Sequence, residues 1–105
     1  MAADLNNPEA QFFIAKIYHE NKNIQKAMHF YELAAKQNNI DAQFNLGLIY
    51  YDLKDIKHFL NKAINYFTLA ANQNHPEAQY ILGLIYSQCQ YAQKDFAKAI
   101  FYFTL

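Results

Sequence analysis

Two sequence blocks recur three times along the chain, and this recurrence limits the possible folds more than any other feature. The first block reads AQFFIAKIY (10–18), AQFNLGLIY (42–50) and AQYILGLIY (78–86), and the second reads KAMHFYELAA (26–35), KAINYFTLAA (62–71) and KAIFYFTL (98–105). The period is 36 residues from Ala42 to Ala78, and it is 32 residues from Ala10 to Ala42 because the first repeat is shorter between its blocks. A period of this length predicts an array of stacked supersecondary units.

Both blocks carry apolar and small residues at the spacing of one helix face. The predicted buried residues of the middle repeat are Ala42, Leu46, Ile49 and Tyr50 in the first block, and Ala63, Tyr66, Phe67, Ala70 and Ala71 in the second. Their steps of three and four residues match the 3.6-residue period of an α-helix. Gly47 and Gly83 are small residues at which two helix backbones are expected to approach closely. The sequence therefore predicts two helices per repeat, packed through small residues and aromatic rings.

The predicted helix ends carry capping residues. Pro8 and Pro76 take the first helical position, where the missing N–H has no helical partner. The predicted N-caps are Asn7, Asn39 and His75 for the first helices, and Asn23, Asp55 and Asp95 for the second helices. Asn6, Asn38 and Asn74 each occupy a position after a helix, where asparagine often replaces glycine in a left-handed turn.

These patterns predict an all-α fold of six helices, the last of them incomplete, arranged as a right-handed solenoid of antiparallel helix pairs (an α-α superhelix). The single domain spans 1–105, and its predicted repeats are 7–38, 39–74 and 75–105. Residues 1–6 match the tail of a preceding repeat, because MAADLNNPEAQ (1–11) resembles LAANQNHPEAQ (69–79), which joins two repeats further along. We therefore expect the chain to be part of a longer array.

Composition argues against several other classes of protein. Hydrophobic residues make up 53% of the chain and aromatic residues 17%, so intrinsic disorder is not expected. Lysine plus arginine number nine, as do aspartate plus glutamate, whereas nucleic-acid binders usually carry a basic excess. No apolar run reaches the roughly 18 residues of a membrane-spanning helix, and no signal segment is recognisable. Nucleic-acid binding and membrane insertion are therefore not expected, and the single cysteine, Cys89, is compatible with a reducing compartment such as the cytoplasm.

No constellation of residues predicts catalysis, a metal site or a cofactor. Ser87 is the only serine, and neither lysine nor histidine lies three residues beyond it. The histidines lack metal-ligand spacing and are interpreted as solvated or helix-end residues: His19, His29, His58 and His75. Glu9, Asp41 and Glu77 recur at one repeat position, which favours acids in a first helical turn, with a functional carboxylate row as the alternative. The sequence therefore predicts a protein that is not an enzyme.

The two blocks together resemble the Sel-one-like repeat (SLR) family, a relative of the tetratricopeptide repeat. The shared pattern is alanine, then Leu-Gly and Tyr, then Lys-Ala, two aromatic residues and Ala-Ala, as in AQFNLGLIY and KAINYFTLAA. The pattern covers nearly the whole chain in three copies, although Ile14-Ala15 replaces Leu-Gly in the first repeat and the family's loop glycines are missing. The resemblance implies a scaffold or adaptor module that binds a peptide or protein partner.

In such a stack the first helix of each pair is expected to line the concave side, which is the usual binding face. The residues of these helices outside the packing set form the candidate partner-binding face: Phe12, Lys16, His19, Phe44, Asn45, Leu48, Tyr51, Asp52, Tyr80, Ile81, Leu84, Ser87 and Gln88. Aromatic positions with acids at both helix ends favour a peptide with apolar and some basic side chains. A clamp for a C-terminal carboxylate is disfavoured, because only Asn45 matches its pattern. Alternatively, Phe12, Phe44 and Tyr80 only complete the packing.

Two other functions stay open. The chain is then either a structural spacer or self-assembling element, or a non-catalytic regulatory segment of a larger protein. Self-association is expected through the terminal helices, where apolar residues lack a covering repeat: Ile100, Phe103 and Leu105 at one end, and Ala2, Ala3 and Leu5 at the other.

Overall fold

The computed structural model describes residues 6–53, 56–88 and 96–105, which form six α-helices. These are α1 (Pro8–Glu20), α2 (Ile24–Lys36), α3 (Ile40–Tyr51), α4 (Lys57–Ala71), α5 (Pro76–Ser87) and α6 (Phe96–Phe103). The first block falls on α1, α3 and α5, and the second falls on α2, α4 and α6, so the prediction of an all-α repeat fold is confirmed. The predictions that concern Ala2, Ala3, Leu5, Asp55, Cys89 and Asp95 lie outside the described residues.

The chain divides into two compact units, an N-terminal unit (Met1–Leu46) and a C-terminal unit (Gly47–Leu105), and the division falls within α3. In the N-terminal unit α1 packs against α2. In the C-terminal unit α4 packs against α5, and α5 packs against α6. Each of these contacts joins helices that are neighbours in sequence, which is the contact pattern of repeat proteins.

Three helices begin with an asparagine cap, as the sequence predicts. The side-chain oxygens of Asn7, Asn23 and Asn39 accept backbone N–H hydrogen bonds of 2.8–3.3 Å from α1, α2 and α3 respectively. At α5 the cap is His75, whose Nδ1 accepts a 3.1 Å bond from the Ala78 N–H. Each bond satisfies a donor that has no partner inside its helix, which fixes where the helix begins.

The middle repeat begins its second helix without such a cap. This helix, α4, starts at Lys57. The N-cap residue is Ile56, which makes no side-chain hydrogen bond, whereas the sequence predicts an acidic cap. The first turn of α4 is therefore stabilised by backbone bonds such as Phe59 N–H to Ile56 O at 2.9 Å.

Helices α2 and α4 end in left-handed asparagines, also as predicted. Asn38 and Asn74 have φ values of 69° and 68°. In each case the next residue donates its N–H to a carbonyl five residues back, at 3.1 Å for Asn39 and 3.2 Å for His75. This is the Schellman pattern, which satisfies the last carbonyls of the helix. The end of α1 has the same form around Lys22 (φ 65°), which the sequence did not indicate.

Buried glutamines connect the end of one helix to the next helix. Gln43 Nε2 donates to the Ala35 carbonyl at 3.2 Å, and Gln79 Nε2 donates to the Ala71 carbonyl at 3.1 Å. Both glutamines are buried and occupy the same repeat position. An unpaired buried carbonyl or amide would be costly, so these bonds favour one register between the helix ends. The sequence analysis did not single out these glutamines.

A stacked ring pair with a lysine joins the two helices of every repeat. The ring pairs are Tyr18–Phe30, Tyr50–Tyr66 and Tyr86–Tyr102, with centroids 5.9, 6.0 and 5.9 Å apart. The lysine Nζ atoms of Lys26, Lys62 and Lys98 lie 5.4, 5.3 and 5.1 Å from the centroids of Tyr18, Tyr50 and Tyr86. Such ring and cation–π contacts add roughly 0.5–1.5 kcal/mol each beyond burial. The repeated Lys-Ala and aromatic positions therefore have a common packing role.

Glycine allows close contacts between helices in the C-terminal unit. A methyl group on Gly47 would lie 2.6 Å from Cδ1 of Phe67, and one on Gly83 would overlap the ring of Phe103. Any side chain at these two positions would displace the ring opposite it. The expectation that Gly47 and Gly83 lie at close helix–helix contacts is therefore confirmed.

Candidate partner-binding face

The predicted face of the N-terminal unit comes from α1 and the first half of α3. Phe12, Lys16 and His19 are four and three residues apart, so they follow one side of α1. Phe12 and His19 are half-buried and Lys16 is exposed, while Phe44 and Asn45 on α3 are half-buried. Each of these residues therefore keeps some solvent-accessible surface.

A shallow pocket of about 280 Å³ gathers several of these side chains. Its lining residues are Lys16, His19, Glu20, Tyr31 and Asn45. Lys16, His19 and Asn45 belong to the predicted face, whereas Glu20 and Tyr31 do not. The pocket thus combines a cation, an anion, an imidazole, a phenol and an amide, which suits hydrogen bonding more than apolar contact.

Tyr31 forms the floor of this pocket from α2. Its hydroxyl lies 3.3 Å from Nδ1 of His19, and the imidazole tautomer decides which group donates that hydrogen bond. The two rings meet edge to face with centroids 5.9 Å apart. Burial raises the pKa of the Tyr31 hydroxyl above its usual range, and the negative charge of Glu20 adds to this shift. Tyr31 is therefore a neutral hydrogen-bonding group over the whole physiological pH range.

Three of the predicted residues in this unit, Phe12, Lys16 and Asn45, also make intramolecular contacts. The Phe12 ring lies 5.9 Å from the Tyr31 ring and 5.7 Å from the Phe13 ring, and Lys16 Nζ lies 5.7 Å from the Phe12 centroid. Asn45 Nδ2 donates a 2.7 Å hydrogen bond to the Asp41 carbonyl. Phe12 thus packs in part and stays partly accessible, so the alternatives of packing and binding are not mutually exclusive at this position.

In the C-terminal unit, three predicted residues lie at the end of α3. Leu48 and Tyr51 are half-buried, and Asp52 is exposed in the turn that follows. The Tyr51 ring meets the ring of Phe67 nearly edge-on, with centroids 6.2 Å apart. Tyr51 therefore supports the packed ring of α4 on one side and has solvent on the other.

The remaining predicted residues lie on α5 and just after it. Leu84, Ser87 and Gln88 are half-buried, and the Ser87 hydroxyl donates to the Leu84 carbonyl at 2.8 Å. Tyr80 is exposed, although one side of its ring contacts Phe103 with centroids 5.7 Å apart. Ser87 therefore acts within its own helix, while Tyr80 presents most of its ring to solvent.

A second shallow pocket, of about 320 Å³, lies at the start of α5. It is lined by Pro76, Glu77, Tyr80 and Ile81, of which Tyr80 and Ile81 belong to the predicted face. Its walls are mainly apolar, with the Glu77 carboxylate as the one charged group among them. This arrangement suits an apolar side chain that has a positive charge next to it.

Sequence reasoning missed Glu20 and Tyr31 of the first pocket, and one signal could have found Tyr31. Tyr31 takes the repeat position held by Phe67 and Phe103, so a hydroxyl appears where the other repeats have a plain ring. Lys16 likewise takes the position of Leu48 and Leu84. Polar residues at otherwise apolar repeat positions therefore mark the first repeat as chemically distinct.

Within residues 6–53, 56–88 and 96–105, no three His, Cys, Asp or Glu side chains converge as metal ligands. None of the helices in those ranges has the length and apolar character required to cross a bilayer.

Comparison with known families accounts for the repeat. The Sel1 repeat model matches residues 8–39, 40–75 and 76–105, which together include nearly the whole chain. The chain belongs to the Sel1 repeat family. The resemblance inferred from the blocks is thereby confirmed, and Sel1 repeats generally serve as protein–protein interaction modules and are typically non-catalytic scaffolds.

A solved structure has the same fold. The crystal structure of a Sel1 repeat protein from Oxalobacter formigenes matches 94% of this chain with a TM-score of 0.84 and 32% sequence identity. The match spans 42% of that protein's chain, so this Sel1 repeat chain corresponds to less than half of its relative. A search of the curated proteins found no match.

Proposed function

We propose that this Sel1 repeat chain binds a peptide or protein partner through the first-helix face, which consists of the thirteen residues predicted above on and beside α1, α3 and α5. The observation that carries the proposal is that α5 both packs against α6 and lines an accessible pocket. Gly83 lies against the Phe103 ring, while Tyr80 and Ile81 of the same helix line an accessible pocket. Tyr80 also contacts the Phe103 ring but stays 59% exposed, so Tyr80 and Ile81 keep accessible surface beside the packed glycine.

The two pockets favour different parts of a partner. Tyr80 and Ile81 offer apolar contact beside the carboxylate of Glu77, which fits an apolar side chain followed by lysine or arginine. The pocket around Lys16 and Tyr31 offers several hydrogen-bonding groups, which fits a polar side chain or the backbone of an extended peptide. The pocket of the C-terminal unit therefore favours apolar and basic residues of a partner, and the pocket of the N-terminal unit favours polar residues or peptide backbone.

The test begins with a random peptide library displayed on phage and selected on the immobilised chain. Selected peptides are then synthesised, and their affinity is measured by fluorescence anisotropy for Tyr80→Ala and Lys16→Ala. Exposed anchor residues of this kind are expected to be worth roughly tenfold or more in affinity. Phe101→Ala is the matched control for Tyr80→Ala, because both rings belong to the C-terminal unit and are similarly exposed.

Loss of affinity in the two face variants, with Phe101→Ala unchanged, supports the proposal. Peptides that bind all three variants as tightly as the parent chain would place the binding site elsewhere. A library that yields no peptide above the level of an unrelated helical protein would remove peptide binding as the function.

A second candidate function is self-association, and the exposure of α6 favours it. Ile100, Phe103 and Leu105 are all exposed, in a helix whose other side packs against α5. Exposed apolar residues grouped on one helix commonly mark an interaction surface. In this case the chain acts as a self-assembling or spacing element.

A further inference from the structure

The first pocket gathers polar residues at repeat positions that are otherwise apolar. Lys16 and Tyr31 take positions that are held by leucine and by phenylalanine in both other repeats. Asn45 on α3 takes the position of Phe13 in the first repeat and of Ile81 in the third. These three polar side chains line one pocket of about 280 Å³. Packing of the repeat does not require a polar residue at any of these positions, because apolar residues fill them elsewhere in the chain.

The walls of the first pocket come from two successive repeats. Lys16, His19 and Glu20 lie on α1, Tyr31 reaches the pocket from α2, and Asn45 lies on α3. All five residues belong to the N-terminal unit. The pocket is therefore formed where the first repeat meets the second, by residues that the structure describes.

The hydrogen-bonded pair of His19 and Tyr31 keeps one donor and one acceptor for a ligand. The His19 Nδ1 lies 3.3 Å from the Tyr31 hydroxyl. If Nδ1 carries the proton, it donates to the hydroxyl oxygen, and the hydroxyl proton and Nε2 stay available as donor and acceptor. If Nε2 carries the proton, the hydroxyl donates to Nδ1, and Nε2–H and the hydroxyl oxygen stay available. The pair therefore offers both kinds of group in either tautomer.

The other lining residues also supply donors and acceptors together. The Nδ2 of Asn45 donates to the Asp41 carbonyl at 2.7 Å, which leaves its Oδ1 as an acceptor. Lys16 contributes an ammonium donor and Glu20 a carboxylate acceptor, and both side chains are exposed. Because these two charges are opposite, the pocket has no formal net charge while His19 is neutral. Neither an anion nor a cation is therefore favoured over a neutral group.

We propose that the first pocket binds the side-chain carboxamide of an asparagine or glutamine in the partner. The inference rests on the peptide binding proposed above and names the residue type that this pocket takes. An ionised carboxylate only accepts hydrogen bonds and an ammonium or guanidinium only donates them, whereas a carboxamide does both. A trans peptide bond also does both, but its C=O and N–H point in opposite directions. A carboxamide presents both groups from one end, which fits a pocket where donors and acceptors converge.

The experiment uses the peptides selected on the immobilised chain. We expect the selected peptides to share an asparagine or glutamine at one position. That residue is replaced by the carboxylate of the same shape, by lysine or by an apolar residue of similar size, and affinity is measured by fluorescence anisotropy. Each replacement should weaken binding to the parent chain by about tenfold or more, because it leaves donors or acceptors of the pocket without a partner.

The pocket variant combines Lys16→Leu with Tyr31→Phe, which are the residues of the other repeats. On this variant the carboxamide peptide and its apolar replacement should differ by less than about threefold, because the hydroxyl and the ammonium are gone. Tyr102→Phe and Lys36→Leu are the matched controls, since they remove the same groups outside the pocket and should keep the full preference. Circular dichroism verifies each fold, and Lys16→Leu with Asn45→Ile serves instead if Tyr31→Phe loses helix.

Selected peptides without a shared asparagine or glutamine would overturn the inference and leave peptide binding in place. The same conclusion follows if the carboxylate, lysine or apolar replacement binds the parent chain as tightly, or if the pocket variant keeps the preference for the carboxamide. A library that yields no peptide would instead remove the proposed function itself, so the two failures are distinguishable.

Discussion

The α1–α2 pair and the α5–α6 pair are built from the same repeat positions, but two corresponding residues differ between them. In α5–α6 the first helix has Gly83, and the ring of Phe103 lies so close that a methyl group would overlap it. In α1–α2 the first helix has Ala15 in place of the glycine, and Tyr31 takes the repeat position of Phe103. Yet Tyr31 is 1% exposed and Phe103 is 44% exposed.

The difference teaches that a close glycine contact does not by itself bury a ring. Tyr31 is covered on several sides, since Phe12 and His19 both lie against it. Phe103 has a ring contact at the position equivalent to Phe12, which is Tyr80, but the position equivalent to His19 is Ser87. The first pair therefore gains a buried polar ring and a hydrogen-bonding pocket, and the last pair keeps an apolar surface.

The largest expected difference between the pairs comes from removing the two rings. Tyr31→Ala should lower the free energy of unfolding by about 3–5 kcal/mol, because it empties a fully buried site. Phe103→Ala should cost no more than about 2 kcal/mol, because nearly half of that ring is already in water. Urea unfolding followed by circular dichroism measures both values. Equal costs would mean that the two rings are equally buried in solution.

The next effect tests whether the ring opposite a glycine can move. Gly47→Ala should destabilise by about 1–2 kcal/mol, since Phe67 is buried and has little room to retreat. Gly83→Ala should be within about 0.5 kcal/mol of neutral, because the partly exposed Phe103 can turn away and alanine favours a helix by about 1 kcal/mol. The same urea titrations apply. A larger cost at Gly83 than at Gly47 would reverse the comparison.

A smaller effect isolates the polar ring of the first pair. Burial raises the pKa of Tyr31, so the folded protein holds that proton more tightly than the unfolded chain does. The corresponding stability is fully present below the ordinary tyrosine pKa near 10 and is lost as the pH rises from there through the folded pKa. Tyr31→Phe should therefore lose less stability than the parent chain as the pH rises above about 10. Parallel pH dependences for the two proteins would contradict a buried, proton-retaining Tyr31.

The smallest expected effect concerns the helix caps of the same two pairs. Asn7 caps α1 with two backbone bonds, whereas His75 caps α5 with one bond through Nδ1. Because asparagine is among the best N-cap residues, His75→Asn should stabilise the C-terminal unit by about 0.5 kcal/mol. Thermal unfolding monitored at the helix signal detects the change. A lower melting temperature would show that the imidazole has a packing role that asparagine cannot replace.

Much of the fold could be predicted because the same local sequence signals for helix starts and ends occur in several repeats. Asn7, Asn23 and Asn39 cap the predicted helices, and Asn38 and Asn74 make the predicted left-handed turns. Of the predicted packing residues, those of α3 are buried, and in α4 only Tyr66, whose ring stacks on Tyr50, is half-buried. Periodicity and capping are local properties, so the sequence carries them directly.

The candidate site was less predictable because it depends on which side chains meet across helices. The spacing along α1 and α3 predicted a common face for Lys16, His19 and Asn45. Tyr31 reaches their pocket from α2, and only its hydroxyl at a repeat position held elsewhere by phenylalanine marked it in the sequence. The buried glutamines Gln43 and Gln79 were missed for the same reason, since their partners are carbonyls of a preceding helix. Contacts of this kind follow from the packing of two elements and not from the pattern of either one.

The most direct test of the account is an NMR titration of the labelled chain with a peptide selected from the library. The account predicts that the amide signals that shift most belong to Lys16 and His19 on α1 and to Tyr80 and Ile81 on α5. The outward positions of the second helices, such as Gln25 on α2 and Asn65 on α4, should keep their signals unchanged. Shifts concentrated on those second-helix positions, with the α1 and α5 signals unmoved at saturation, would contradict binding through the first-helix face.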